Sequence, residues 1–263
     1  MNLLEAIVLG LIQGLTEFLP VSSSGHLELG KYLFGIDHEA NFYFSIAVHG
    51  ATVLSTIFVL WKEILNLFNG LFKFRINEET QYFIKLAISM IPVGITGFFM
   101  SDIAEKYFTG NMTSLGIQFF ISAILLFMTL IIRPKERSIT YLDSFFIGIA
   151  QAFAVLPAIS RSGATIATGM MLGNKKSDIA KFSFLMVLVP IIEANILEMS
   201  SGNFSKEGTS IFVIAVGFLT AFISGYVACK WMISLVRKGN LVWFAVYCIL
   251  AGIFSLLLGL HVF

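Results

Sequence analysis

The sequence predicts an all-α polytopic membrane protein: six transmembrane helices plus two re-entrant helix–loop–helix pairs in an inverted-topology repeat. Three observations predict it. The 263 residues are 57% hydrophobic and only 13% charged, with a mean hydropathy of +0.87, whereas a soluble domain carries about a quarter charged residues. The apolar stretches come in two lengths, some long enough to span a bilayer and some too short. Finally, the chain resembles itself at a fixed shift of 138 residues. Net charge is +1, which gives no footing for a nucleic-acid partner. Cys229 and Cys248 lie in apolar runs and read as small packing residues, neither a disulfide framework nor a metal site. The first twenty residues lack a basic n-region and a small-residue cleavage site, so they read as mature protein and not as a signal peptide.

Taken in order, residues 3–19 are apolar but run into Pro20 and the polar stretch Ser22-Ser23-Ser24-Gly25-His26. A shorter apolar piece, 27–35, ends at Gly35. Neither makes a comfortable span of about twenty residues. A helix that breaks in mid-membrane and returns fits better, because non-helical backbone is tolerated there when it lines a cavity. Residues 140–157 and 165–173 repeat the pattern around Leu156-Pro157-Ala158-Ile159-Ser160-Arg161-Ser162-Gly163-Ala164-Thr165. Six full spans are predicted at 42–61, 83–100, 115–132, 179–199, 211–236 and 241–262. The piece 62–74 reads as an amphipathic helix on the membrane surface.

Charge orients these elements. Lys62, Lys73, Arg75, Arg133, Lys135, Arg137, Lys175, Lys176, Arg237 and Lys238 fall in four connections, while Lys31, Lys106 and Lys206 are thinly spread over the others. Threading six spans and two re-entrant pairs puts every rich connection on one side. By the positive-inside rule that side is cytoplasmic, so both termini face outward.

The 138-residue shift lays Gly10 on Gly148, Gln13 on Gln151, Ser22-Ser23-Ser24-Gly25 on Ser160-Arg161-Ser162-Gly163, Gly35 on Gly173, and Phe44-Ser45 on Phe182-Ser183. Pro20 and Pro157 correspond within one position. The single membrane domain 1–263 thus divides into a first repeat, 1–132, and a second, 140–263. Each holds one re-entrant pair and three spans. Three is odd, so the halves enter from opposite sides and their tips meet near the midplane.

That places Gln13, Glu17, Ser22, Ser23, Ser24 and His26 opposite Ser160, Arg161, Ser162 and Thr165. Arginine cannot shed its proton, and intramembrane charge is costly unless paired. Gly163 permits close backbone approach, and the hydroxyls supply donors suited to phosphate oxygens. Gln13 and Glu17, spaced i and i+4, share a helix face with Thr16 beside them. Glu17 has three open roles: partner of Arg161, ligand of a divalent metal, or general base. His26 moves protons near neutral pH, and Ser23 is a candidate nucleophile. A cation, oriented donors, a carboxylate and a histidine make a phosphoryl-transfer set. At membrane depth its substrate needs an apolar tail. Two readings remain from spacing alone, a lipid-phosphate enzyme and an anion transporter.

The run Gln13-Gly-Leu-Thr-Glu17-Phe-Leu-Pro-Val-Ser-Ser-Ser-Gly-His26 resembles the first signature of the undecaprenyl-diphosphatase (bacitracin-resistance) family. Pro157-Ala-Ile-Ser-Arg-Ser-Gly-Ala-Thr165 resembles its second, and Lys181-Phe-Ser-Phe-Leu-Met-Val-Leu-Val-Pro190 is also similar. The resemblance runs through the whole chain. It implies hydrolysis of undecaprenyl diphosphate to the monophosphate plus inorganic phosphate, recycling the carrier lipid for cell-wall synthesis. It also implies a bacterial plasma-membrane location, a site facing the extracytoplasmic side, and a divalent cation, Mg2+ or Ca2+, with Glu17 as a metal ligand. Position by position, Glu17, Ser23, His26 and Arg161 fall on catalytic positions. Gln13, Ser22, Ser24, Ser160, Ser162, Gly163 and Thr165 are the substrate-binding set. A homodimer is left open. Two positions depart from the pattern: Gln13 leaves one carboxylate in the first signature, and Ala158 stands where the family has glycine. The alternatives carried forward are a polyprenyl-phosphate transporter or flippase, and a paralogue that binds lipid phosphate without cleaving it.

Beyond the two tips, Glu193 reads as a structural hydrogen-bonding residue and Glu198 as reaching the interface. His49 reads as a packing histidine. Glu28 and Lys31 are placed to guide a diphosphate or to face solvent.

Overall fold

The computed structural model describes residues 1–36, 42–73, 75–108, 111–131, 136–156, 158–200, 210–238 and 241–260. Arg133, Lys135, Pro157 and Lys206 lie outside the described residues, as do the side chains of Lys106 and Glu198. The helices are α1 Leu3–Phe18, α2 Ser23–Phe34, α3 Phe42–Val59, α4 Trp61–Leu71, α5 Glu78–Phe108, α6 Met112–Ile131, α7 Tyr141–Phe153, α8 Arg161–Met171, α9 Lys176–Ser200, α10 Ile211–Lys238 and α11 Val242–Gly259. No strand occurs among the described residues. The chain is an all-α polytopic membrane protein. By length and apolarity α6, α10 and α11 each suffice to cross a bilayer, and α3 with α4 forms a further candidate bent by 73°. That bend sets α4 apart as a separate piece, as the pattern of 62–74 predicts.

Local chemistry explains where the short helices begin and end. Asn2 and Glu5 form a capping box at α1, with Glu5 N–H donating to Asn2 Oδ1 at 2.9 Å and Asn2 N–H to Glu5 Oε2 at 2.8 Å. Thr140 and Asp143, each 138 residues further on, form the same box at α7. There Arg137 adds a two-pronged ion pair to Asp143 and donates to Leu172 O, tying the start of α7 to the end of α8. The outer ends of α2 and α8 are closed by Gly35 at φ 63° and Gly173 at φ 88°, left-handed backbone that glycine adopts without strain.

Packing follows the same correspondence. α1 lies along α10 and α7 along α5, while α6 pairs with α11 and α3 with α9. Exchanging α1 with α7, α5 with α10, α6 with α11 and α3 with α9 returns the same set of pairs. Small residues permit the close approaches, as expected where lipid offers no drive to pack apolar against apolar. A Cβ on Gly10 would stand 2.6 Å from Gly217 O, and one on Gly148 would strike the Ser89 backbone. Phe44 and Phe182, another corresponding pair, are both fully buried. At the surface, Lys181 on α9 reaches Glu63 on α4.

Candidate active site between the two re-entrant tips

α1 presents Gln13 and Glu17 on one face, then the chain turns through Leu19–Ser22. Ser22 caps α2, its Oγ accepting from Gly25 N–H at 3.3 Å. It does so from φ 70°, ψ 106°, a region costly for a residue with a Cβ. Ser23, the first residue of α2, donates its hydroxyl to Glu17 Oε2 at 2.6 Å. Gln13 Nε2 donates to the same oxygen at 2.9 Å. From the other half, Ser160 caps α8 by accepting Gly163 N–H at 3.0 Å. Arg161, the first residue of α8, donates from Nη2 to Glu17 Oε1 at 3.2 Å. One carboxylate therefore receives three donors from two halves of the chain, and its side chain is 7% exposed against 27% for Arg161.

The tips are interlocked by a reciprocal contact. A Cβ on Gly25 would lie 3.1 Å from Ala158 Cβ, and one on Gly163 would lie 3.3 Å from Pro20 Cβ. Residues 20 and 158, like 25 and 163, correspond under the repeat. Ser162 Oγ donates to Leu19 O at 3.2 Å and sits 3.3 Å from Ser160 Oγ. Ala158 is not among the residues with positive φ, so the departure from glycine costs no strain and its methyl fills the contact with Gly25. α6 cradles this second tip. Gln118 Oε1 accepts from Ala158 N–H at 2.9 Å, and Ser122 Oγ accepts from Ser160 N–H at 3.1 Å while donating to Ala158 O at 3.3 Å.

A cavity opens at the meeting point. Glu17, Ser22, Ser23, Ser24, Ser160, Arg161 and Ser162 line its polar side. Phe184, Val187, Leu188 and Ile191 of α9, at i, i+3, i+4 and i+7, line its apolar side.

Three predicted site residues take other places. His26 does not line this cavity. Its Nδ1 lies 2.6 Å from Ser22 O, an acceptor only, so Nδ1 carries the proton. Its Nε2 meets the Tyr247 hydroxyl at 2.7 Å, with the two rings stacked 5.4 Å apart. Thr165 is fully buried, bonded to Arg161 O at 2.9 Å and Ser183 Oγ at 2.6 Å. It joins α8 to α9 because its position, one turn below the cap, turns it into the helix packing. The N–H of Gly163 is spent on the Ser160 cap, and its surface on Pro20.

Other residues enter that spacing at the tips does not single out. His49 of α3 is near enough to Glu17 and Arg161 to interact with both electrostatically, and Thr52 and Thr56 line the cavity. The signal was available: Ser45, His49, Thr52 and Thr56 form a polar stripe at helical spacing on an otherwise apolar span. Lys31 is 7% exposed and donates to Ser45 Oγ at 3.1 Å, away from solvent. Glu193 is exposed and lines neither side of the site.

For a divalent cation, the available donors are oxygen. Gln13 Oε1 is buried with no hydrogen-bond partner among the described residues, beside the Glu17 carboxylate. An unspent amide oxygen next to a carboxylate suits a hard cation whose remaining ligands come from phosphate. Among the described residues no cluster of three or more His, Cys, Asp or Glu forms a metal site without such help.

Curated relatives cover nearly the whole chain. It is 51% identical over 260 residues to an undecaprenyl-diphosphatase of Parabacteroides distasonis, covering 97% of this chain and 98% of the relative. It is 51% identical over 257 residues to one from Bacteroides thetaiotaomicron, covering 96% and 97%. One from Methanococcus vannielii is 39% identical over 257 residues, covering 95% and 98%. The family model described as bacitracin resistance protein BacA matches residues 6–254, and the chain belongs to that family.

Proposed function

We propose that the chain is a membrane phosphatase that hydrolyses undecaprenyl diphosphate to undecaprenyl phosphate and inorganic phosphate, recycling the carrier lipid. The observation that carries this reading is the Ser23 hydroxyl directed at Glu17, with Arg161 on the carboxylate's other oxygen. A serine hydroxyl is a weak nucleophile unless a base takes its proton. Glu17 is that base, at 2.6 Å. Ser23 Oγ attacks the terminal phosphorus, its proton passes to Glu17, and the anhydride bond breaks to release the lipid monophosphate. Water then cleaves the phosphoserine to free inorganic phosphate. Arg161 leaves Glu17 for the non-bridging oxygens, supplying charge where it develops. Ser24, Ser160 and Ser162 orient the diphosphate, and the apolar face of α9 receives the isoprenoid tail.

Gln13 and Glu17 would hold a Mg2+ or Ca2+ ion. When bound, it neutralises charge on the diphosphate. His26 acts through Ser22: its Nδ1–H on Ser22 O fixes the strained cap that aims Ser23. The recurrence of caps, closing glycines and helix pairs at 138 residues supports an inverted duplication of 1–132 and 140–263. With it go six spans, two re-entrant pairs, both termini outside, and a site facing the extracytoplasmic side.

The test is inorganic phosphate release from a polyprenyl diphosphate by the purified chain, with and without chelator. Cation-dependent release is expected, falling by about 10²- to 10⁴-fold in Glu17→Ala, Ser23→Ala and Arg161→Ala. Release that survives Arg161→Ala would sink the site assignment. A folded chain that binds the lipid but releases nothing would favour transport or a non-catalytic relative.

A further inference from the structure

A second cavity of about 370 Å³ is also lined by Arg161. It shares Arg161 and Ser24 with the first, and Ala154, Val155, Leu156 and Pro190 of its wall correspond to Thr16, Glu17, Phe18 and Thr52 of the first under the 138-residue shift. Thr16 and Glu17 line the first; Ala154 and Val155 line the second. Thr52 of α3 lines the first, and Pro190 of α9 the second. Part of one compartment's wall therefore recurs in the other, and Arg161 lines both. The second has no counterpart of the Glu17 carboxylate, because Val155 stands at that position; its carboxylate, Glu28, comes from α2.

The second copy also contains an orphan. Gln151, which corresponds to Gln13, is 1% exposed, lines this cavity, and has neither Nε2 nor Oε1 hydrogen-bonded within the described residues. A buried amide left unpaired costs stability, and such groups in native proteins call for an explanation. Arg161 spends one N–H on Glu17 out of five. The apolar positions around Val155 offer no base and no hard ligand. The polar wall is an amide donor, a hydroxyl, a guanidinium and the Glu28 carboxylate, around a space large enough for a tetrahedral oxyanion.

We infer that this cavity is a second phosphate-group subsite, which holds a phosphate on Arg161, Ser24 and Gln151 out of reach of Glu17. The inference rests on the phosphatase reading for its biological sense, since the reaction both consumes and yields phosphate groups. The occupant is either the released inorganic phosphate or the headgroup of the lipid monophosphate. Glu28 lines the same cavity, so its charge opposes the anion and sets a limit on affinity.

The experiment measures equilibrium binding of radiolabelled inorganic phosphate, and separately of a polyprenyl monophosphate, to the full-length purified chain. Gln151→Leu is expected to weaken phosphate binding about tenfold, the loss of one hydrogen bond to a charged group. It is also expected to raise the melting temperature, because two unpaired buried polar atoms are replaced by an apolar side chain of similar size. Gln151→Glu keeps the shape, places a like charge in the cavity, and should weaken binding more. Glu28→Gln should strengthen it. Loss for inorganic phosphate identifies the released product as occupant; loss confined to the monophosphate lipid identifies the headgroup. Unchanged affinity for both anions in Gln151→Leu and Gln151→Glu overturns the inference, as does a Gln151→Leu chain that is destabilised while binding normally. Phosphate release by the unaltered chain, measured in parallel, is independent of these outcomes. Its absence would remove the phosphatase reading and leave the binding comparison intact.

Discussion

The two tips share a backbone device and differ in nearly everything attached to it. In each, a serine caps a short helix, a glycine three residues on accepts the opposite tip, and the first helical residue bonds Glu17. In the first tip that residue is Ser23, across the turn from the Glu17 carboxylate of α1; in the second it is Arg161, with Val155 where the carboxylate would be. The corresponding segments share the scaffold, and the side chains that meet at the site are divided between them. The Glu17 carboxylate and the Ser23 hydroxyl come from one half and the Arg161 cation from the other, so the three meet only when the halves are docked. Intramembrane charge is expensive in either half alone, which makes the Glu17–Arg161 pair an assembly contact as well as a chemical one.

The largest effects should come from breaking that division. Removing one member strands the other, at a cost of about 3–5 kcal/mol in a buried pair. Arg161→Met and Glu17→Leu alone are therefore expected to lower thermal stability sharply. The double variant should recover most of it, yet release no phosphate. A double variant no more stable than either single one would show that the pair does not hold the halves together. Next is Gln13→Glu, which sets a second carboxylate against Glu17. It should destabilise the chain in chelator, and added Mg2+ or Ca2+ should restore both stability and turnover at lower cation concentration than the unaltered chain needs. If cation leaves the melting temperature of this variant unmoved, Gln13 is not at the metal.

Much of this was legible in residue order because it is local. The lengths of 3–19 and 27–35, Pro20 and the polar run after it expose α1–tip–α2 without any long-range information, and i, i+4 spacing puts Gln13 beside Glu17. The meeting of Glu17 with Arg161 followed from one global inference, the repeat. What spacing could not show is who holds the tips from outside. Gln118 and Ser122 read as polar residues in an apolar span, and nothing local says that they face Ala158 and Ser160. His26 lies three positions from Ser23, and nothing local says that its ring also meets Tyr247, 221 positions away. The strain at Ser22 is equally invisible, because the sequence Ser22-Ser23-Ser24-Gly25 matches Ser160-Arg161-Ser162-Gly163 while φ differs between 70° and −67° at the cap.

The cradles differ in the same sense as the strain. α6 grips the second tip through an amide and a hydroxyl bonded to backbone. α11 meets the first through the weak Cys248 Sγ–Pro20 O contact at 3.8 Å and through Tyr247 on His26. Gln118→Leu strips Ala158 N–H of its acceptor and is expected to cost about 1–3 kcal/mol, read as a lower melting temperature. Substituting glycine at the two caps should then act with opposite sign. At Ser22 glycine relieves backbone strain worth about 1–3 kcal/mol and loses only a few tenths through the cap, so Ser22→Gly should stabilise while loosening the aim of Ser23 and slowing turnover. At Ser160 the backbone is relaxed, and Ser160→Gly should cost about 0.5–1 kcal/mol in chain entropy. Equal signs at the two positions would mean that Ser22 stores no strain.

The smallest effect belongs to a pair of the same chemistry at the surface, Glu63 on α4 with Lys181 on α9, each about one-third exposed. Burial pushes the Glu63 carboxyl up, but the hydrogen bond and charge of Lys181 outweigh it and hold the group below the usual carboxylate range. A depressed carboxylate contributes stability that is fully present above its unfolded value, about 4.3, and is lost as pH falls through the lower folded value. Glu63→Gln should therefore cost at most about 1 kcal/mol at neutral pH, and the difference from the unaltered chain should close on acidification below pH about 4. A melting-temperature gap at neutral pH as large as that of Glu17→Leu would mean that depth in the membrane is not what makes the Glu17–Arg161 pair costly to break.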